Sequence, residues 1–408
     1  MSRLRMLVVG QTFPWPEITG ARMRLANVIR GLSRLGDVDL FTLVDPERAD
    51  LVSPPHHIRR AETAPRRLLP FPPLRRVGWL AAGSLPRALT VFDLRSVRER
   101  FAAWADPRYD LVWFHRVESF AALAPLVQGP TIVDFDDLAE RHGPLTGSNG
   151  MSSPQAENRG WRRWAGRLQE ARDYRLWLDL QRGAAARAQA VVVCSEKDRR
   201  RLAGPHSAVI PNGYTAPAHP LGRVVVADPP VILFAGLLTY PPNRDAAAVL
   251  ATRIAPLVRE RLPAVQIRLT GRAGDPVARL GDPPRVVVTG FVPDMAVELA
   301  RADIVAVPLR VGGGTRIKIL EAFAHRIPVV STTAGATGLD VVHGRDLLIA
   351  DDPQAFARAC VALLTDQEQR GRLAEAAHRL FLEQYRWERI HDAVAALAAR
   401  VAQAEVTA

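Results

Sequence analysis

The sequence predicts an α/β protein with two doubly wound domains, each a parallel sheet covered by helices. Short, continuous apolar runs recur along the chain, as in RMLVVG (Arg5–Gly10), Val231–Ala235 and Ile304–Val307. That is the pattern of parallel strands buried on both faces. Helix-length segments separate the runs, and the alternation occurs twice, over about 1–215 and 228–384, with no shorter repeat in either half. Several runs end in glycine turns. A chain of 408 residues is long enough for two independent cores. The expected division is 1–215, a Pro- and Gly-rich linker 216–230, a second domain 231–384, and a segment 385–408 whose helix crosses back to the first domain.

Composition excludes more than it selects. Apolar residues make up 48% and charged residues 24%, ordinary for a globular protein. No run of about eighteen apolar residues offers a membrane span, and the opening SRLRMLVVG is too short and strand-like for a secretion signal. Two distant cysteines, Cys194 and Cys360, give neither a metal spacing nor a disulfide framework, so a cytoplasmic, reducing setting is expected. The net charge of +12 is uneven: residues 1–220 hold 32 Lys/Arg against 22 Asp/Glu, and residues 221–408 hold 22 against 20. Within 59–100, ten arginines face three acids and are interleaved with Leu, Phe, Val and Trp. Such a stretch suits an anionic membrane or an acidic acceptor, which would make the protein peripheral on the inner membrane face. An arginine-rich composition with no partner explains it equally. No nucleic-acid motif accompanies the charge, so nucleic acid is not an expected partner.

In chain order, the strand Arg5–Gly10 is followed by QTFPWPEITGARMR, with Pro14, Pro16 and Gly20 ahead of a helix over about 21–35. The turn lacks Gly-x-Gly-x-x-Gly, which argues against a nicotinamide-dinucleotide site. Val38–Val44 is the next strand, and the Pro/Arg-rich stretch 53–90 is expected to be irregular with short helices. A helix near 93–104 leads to strand Leu111–Phe114, then His115, Arg116 and Glu118. Pro130–Val133 is a strand with Asp134, Asp136 and Asp137 at its C-terminal end, where ligands gather in open α/β sheets. These acids are substrate contacts or helix caps. No further His or carboxylate cluster completes a ligand set around them, and no metal is expected. Gly143–Ser153 reads as a flexible loop, followed by a helix over about 155–187 and strand Ala190–Cys194.

In the second half, Val231–Ala235 runs into GLLTYPPNRD, which contains Arg244. Gln266–Leu269 ends in Thr270-Gly271, and Val286–Val288 in Thr289-Gly290-Phe291-Val292. Strand Ile304–Val307 leads to three glycines, Gly312, Gly313 and Gly314, and then to a helix over about Thr315–Ala324, with helices 353–365, 367–384 and one from about 387 further on. Glycines before a helix let the backbone approach a ligand, and the helix start supplies free N–H groups and positive dipole, with Thr315 able to cap it. The 3.6 period points Ile317, Leu320 and Ala324 to a core and puts Lys318, Glu321 and His325 on another face. Two readings fit: a nucleoside-diphosphate site with a cation for phosphate and a carboxylate for a ribose diol, or a solvated Lys–Glu pair. The chain has two lysines, Lys197 and Lys318, among 54 basic residues, so a lysine beside this loop favours a compact charge there.

The stretch GGGTRIKILEA resembles the signature region of retaining glycosyltransferases of family 4. The resemblance covers nearly the whole chain, strongest over 231–340 and thinnest over 45–110. It implies the GT-B fold: two Rossmann-like domains with parallel sheets facing a central cleft, the first for the acceptor and the second for a nucleotide sugar. It places Glu321 on the donor ribose. The usual Glu-x7-Glu motif lacks its first member here, because Gly313 holds that position, which leaves the contact to backbone amides of Gly312–Gly314. The usual Gly-Arg and following lysine after the first strand of the second domain are also missing, with Leu237 in the arginine position. Lys318, with Arg244 or Arg316, must then neutralise the diphosphate. Gly271 and Val292 would floor the base pocket, and Gly20 would allow close approach of donor or acceptor. Asp136 falls where the family usually places a histidine near the reacting sugar. The implied activity is metal-independent transfer of a sugar from a nucleoside diphosphate to a saccharide, lipid-linked or small-molecule hydroxyl, with Asp136, Lys318 and Glu321 as catalytic residues. A sugar-nucleotide epimerase and a non-catalytic scaffold binding nucleotide sugar are the alternatives.

Overall fold

The computed structural model describes residues 3–44, 57–65, 67–136, 138, 160–202, 206–222, 225–311 and 316–406. Asp137, the loop 143–153, Gly312–Gly314 and Thr315 therefore lie outside the described residues. The chain forms two units, Met1–Pro211 with Glu388–Ala408, and Asn212–Trp387. The segment 216–230 belongs to the second unit instead of standing apart.

The first unit holds seven parallel strands in the order β3-β2-β1-β4-β5-β6-β7. They are β1 (Leu4–Gly10), β2 (Gly36–Thr42), β3 (Ile58–Thr63), β4 (Leu111–His115), β5 (Thr131–Phe135), β6 (Ala190–Val193) and β7 (Ser207–Val209). The helices are α1 (Gly20–Leu32), α2 (Pro73–Ala82), α3 (Arg87–Thr90), α4 (Leu94–Trp104), α5 (Val117–Leu123), α6 (Gly160–Arg187), α7 (Glu196–Leu202) and, from the far end of the chain, α16 (Trp387–Val406). Side-chain oxygens cap α1 and α4: Thr19 accepts from the Arg22 N–H and Asp93 from the Ser96 N–H. One core packs Leu7, Val9, Phe41, Phe101, Phe114 and Val133 between sheet and helices.

Two expectations are corrected here. The arginine-rich segment contains a strand, β3, whose Arg59 and Arg60 pair with buried Asp39 of β2, while the Arg60 guanidinium lies 4.5 Å from the Trp104 ring centroid. Counter-charges on the neighbouring strand let an edge strand carry two arginines. Strand β5 also runs two residues further than expected, so Asp134 lies inside it, fully buried, and Asp136 is the one of the three acids that follows it among the described residues.

The second unit holds six parallel strands in the order β10-β9-β8-β11-β12-β13. They are β8 (Val231–Ala235), β9 (Gln266–Thr270), β10 (Val286–Gly290), β11 (Ile304–Val307), β12 (Val329–Ser331) and β13 (Leu348–Ile349). Its helices are α8 (Pro241–Val249), α9 (Ala255–Arg259), α10 (Asp275–Ala278), α11 (Met295–Arg301), α12 (Ile317–Ala324), α13 (Thr333–Ala336), α14 (Pro353–Thr365) and α15 (Gln367–Leu380). Proline opens α8 and α14, where a missing N–H costs nothing, and Asp352 and Asp366 cap α14 and α15. The core gathers Leu233, Phe234, Leu269, Val305, Leu320, Phe323 and Phe356. On α12 the buried positions are Ile319, Leu320, Ala322, Phe323 and Ala324, whereas Ile317, expected in the core, is half-buried.

Each sheet reverses its winding once, between β1 and β4 and between β8 and β11. Connections diverge there and leave a crevice outside the carboxyl ends of the two strands, the place where doubly wound folds bind ligands.

Candidate functional site

The reversal in the second sheet brings three chain segments to one point. Gly236, directly after β8, has φ +150°, and a Cβ there would stand 2.9 Å from Lys318 Nζ and 3.1 Å from Asn243 Nδ2. Gly271, directly after β9, has φ +128°, and its Cβ would meet the Gly236 carbonyl oxygen at 1.9 Å. Glycine at both positions lets the turns nest and the lysine enter.

Lys318, on the first turn of α12, donates from Nζ to Asn243 Oδ1 at 2.9 Å and lies 4.2 Å from the Phe234 ring centroid. Asn243 of α8 is itself fixed, its Nδ2 donating to the Leu237 carbonyl at 2.9 Å. Burial pushes the Lys318 ammonium down to about 7; nearby Arg316 acts in the same direction and Glu321 opposes both. One turn along α12, Glu321 accepts from the Tyr214 hydroxyl at 2.8 Å through Oε1. Burial raises the Glu321 carboxyl, against the pull of Tyr214 and Lys318. Burial, then the charge of Glu321, raises the Tyr214 phenol. An ammonium and a carboxylate thus sit on successive turns, each held by one neutral side chain.

The other expected residues of this unit divide. Arg316 occupies the N-cap position of α12, is buried, and donates to the Ala334 carbonyl at 3.3 Å. Its charge reaches Lys318. Arg244 lies in the first turn of α8 but is exposed, and Val292 is half-buried beyond β10. The site brings together Gly271, Arg316, Lys318 and Glu321, with Asn243 and Tyr214 added by the structure.

The reversal in the first sheet is of a different kind. Asp134 is fully buried in β5 and receives Arg24 of α1 bidentately, Nε to Oδ2 at 2.8 Å and Nη2 to Oδ1 at 2.6 Å. Arg24 also donates to the Ile210 carbonyl at 3.1 Å. Burial opposes the Arg24 charge, but Asp134 and then Cys194 outweigh it and raise the guanidinium; burial raises the Asp134 carboxyl against the pull of Arg24, and the bidentate geometry is that of a guanidinium on a carboxylate. We therefore place an ionised pair here, with Asp134 engaged in structure. Asp136 follows the strand, nearly buried, and accepts from Arg116 Nη2 at 3.1 Å. Arg116 adopts φ 71°, unusual for a residue with a side chain, in the turn between β4 and α5.

Beside them His115 ends β4, opposite Asp134 in register and fully buried, with no hydrogen-bond partner on either ring nitrogen. Burial pushes its pKa down to about 3, opposed by Asp136 and helped by Arg116 and Arg24. The imidazole is neutral, one nitrogen a donor and one an acceptor. Gly20 opens α1, half-buried. Among the described residues, no three His, Cys, Asp or Glu side chains are grouped to hold a metal ion.

Comparison with known proteins bears on the family and the fold. Residues 19–213 match the Glycosyl transferase 4-like domain and residues 229–366 match Glycosyl transferases group 1. The chain is 39% identical over 89 residues to D-inositol 3-phosphate glycosyltransferase of Corynebacterium urealyticum, a match covering 21% of this chain and 20% of that protein. It covers 20% and 35% of the length of the curated relatives it matches. Among solved structures it is similar to sucrose-phosphate synthase from Thermosynechococcus elongatus, at 19% identity and TM-score 0.69, over 98% of this chain and 100% of that one. It is also similar to Anabaena HepE in complex with UDP-glucose, at 17% identity and TM-score 0.64, over 98% and 100% of the two chains. The two family matches together span most of the sequence, and the chain belongs to the group 1 glycosyltransferases, with the GT-B fold.

Proposed function

We propose that the chain is a retaining, metal-independent glycosyltransferase of family 4 that moves a sugar from a nucleoside diphosphate to an acceptor hydroxyl. The observation that carries this reading is the order of charges on α12: Lys318 on its first turn and Glu321 one turn deeper, both at the reversal of the second sheet. A diphosphate at Lys318 and a ribose diol at Glu321 match that order. The cation that the family usually supplies after the first strand of this domain comes here from α12, and Asn243 stands in for a basic residue on α8. The UDP-glucose bound to HepE makes uridine the first base to test.

Chemically, the leaving diphosphate gathers negative charge as the glycosidic bond breaks, and Lys318 with the start of α12 stabilises it. In same-face attack the acceptor oxygen bonds to the anomeric carbon while its proton passes to the departing phosphate oxygen. We assign the sugar and acceptor contacts of the first unit to Asp136, whose carboxylate can accept from hydroxyls, with the neutral His115 imidazole buried behind it.

The deciding experiment is calorimetry of the purified protein with UDP, GDP and ADP, with and without EDTA. One diphosphate should bind in EDTA, and Lys318→Ala should weaken it roughly 10- to 100-fold, the range of a charge-assisted hydrogen bond. Equal binding by wild type and variant would remove Lys318 from the site. Donor hydrolysis or transfer with retained anomeric configuration separates the enzyme from a silent binder.

A further inference from the structure

Helix α2 turns its apolar side outward. Leu74 is 87% and Val77 62% exposed, and Gly78 and Ala81 continue the same stripe at helical spacing. A Cβ added at Gly78 would meet nothing within 4 Å. Leu68, in the segment leading into the helix, is 72% exposed.

The helix is nevertheless firmly seated. Trp79 is buried and donates from Nε1 to the Leu85 carbonyl at 2.8 Å, Arg76 Nε reaches Gln169 Oε1 at 2.9 Å, and Arg172 of α6 holds the Trp79 and Gly83 carbonyls at 3.2 and 3.0 Å. Residues 63–92 contain five arginines and no aspartate or glutamate. Arg67, Arg75 and Arg87 are exposed, and Arg75 bonds backbone carbonyls of Pro70 and Thr90, which leave its charge unneutralised. Asp173 of α6 meets this segment by accepting from the Arg87 backbone N–H at 2.6 Å.

We propose that α2 and its flanking arginines dock on an anionic bilayer. Large apolar side chains on a rigid helix suit the boundary between headgroups and acyl chains, and arginines at its margins suit lipid phosphates. A second copy of the chain is a poorer occupant, because a twofold contact sets the same arginines against each other.

The test is flotation of the full chain with vesicles of phosphatidylcholine alone and of phosphatidylcholine mixed with phosphatidylglycerol. Binding is expected only with the anionic lipid, and it should fall as salt rises. Leu74→Ser/Val77→Ser should weaken it by at least tenfold or so, given the apolar area withdrawn, with the circular dichroism spectrum unchanged. Should that variant misfold, Arg67→Gln/Arg87→Gln decides, since it should also lower anionic-vesicle binding while leaving the apolar stripe. Equal binding to both vesicles, full binding by a folded Leu74→Ser/Val77→Ser variant or by the arginine variant, or a wild-type dimer dissolved by the serine substitutions would overturn the proposal.

Discussion

The reversals of the two sheets are built alike and charged differently. In the first, Arg24 and Asp134 are 1% and 0% exposed and satisfy each other bidentately. In the second, Lys318 and Glu321 are each half-buried and hold one neutral side chain apiece. A buried ion pair closed on itself fixes structure, because withdrawing one partner strands the other in a medium that cannot solvate it. A charge held on one side by a neutral amide or phenol keeps bonding capacity for a ligand. Similar crevices thus separate into one with a fixed wall and one whose charges keep bonding capacity.

That contrast is broken most severely at Arg24. Replacing Arg24 by Met should cost about 3–5 kcal/mol of unfolding free energy, the range for an orphaned buried charge, measured by denaturant titration. Joint replacement with Asp134→Leu should recover much of it. If Arg24→Met and Asp134→Leu are each as stable as wild type, the wall is not structural.

Smaller, and confined to the second unit, is a pH effect. Lys318 near 7, against an ordinary 10.5, must be protonated to meet a diphosphate. UDP affinity should then fall about tenfold between pH 6 and 8, and Lys318→Arg should flatten the profile to what the ligand's own titration leaves, so that the difference between the two profiles isolates Lys318. For stability the sign is opposite. The unfolded chain binds the extra proton between about 7 and 10.5, so this group's penalty is fully present below 7 and is relieved as pH rises through that window.

The least effect belongs to Tyr214. Tyr214→Phe removes the donor to Glu321 and raises the carboxyl further, so UDP affinity should drop by a few-fold, as for loss of one modest hydrogen bond. A loss as large as that of Lys318→Ala would mean Tyr214 touches the ligand itself.

Much of this was legible in the sequence, for local reasons. Continuous apolar runs such as Val231–Ala235 gave strands because parallel sheets are buried on both faces, and the GGGTRIKILEA stretch placed Lys318 and Glu321 on one helix. What stayed hidden depends on distant partners. Asp134 read as an acid at a strand end because Arg24, which holds it inside β5, is 110 residues away. The strand β3 was obscured by arginines whose counter-charge is Asp39, and Asn243 gave no signal of its own until Lys318, 75 residues on, reached it. His115 was visible as a residue after a strand, but its unpartnered burial was not. Pairings across long sequence separations carry no periodicity to read.

The return of α16 has a consequence in time. The second unit is one unbroken stretch whose ends are stitched together, the Tyr214 N–H donating to the Tyr385 carbonyl at 2.9 Å and the Trp387 N–H to the Tyr214 carbonyl at 3.4 Å. The first unit is discontinuous: Asn27 of α1 meets His391 of α16 at 2.9 Å, and Gly31 abuts Val394 so closely that a Cβ there would lie 2.9 Å away. Translation therefore delivers everything the second unit needs before α16 exists. The α1 surface waits roughly 20–75 s at ordinary elongation rates for its cover. The later unit in sequence is the earlier one able to finish folding, and the first-made sheet is the one exposed to chaperones.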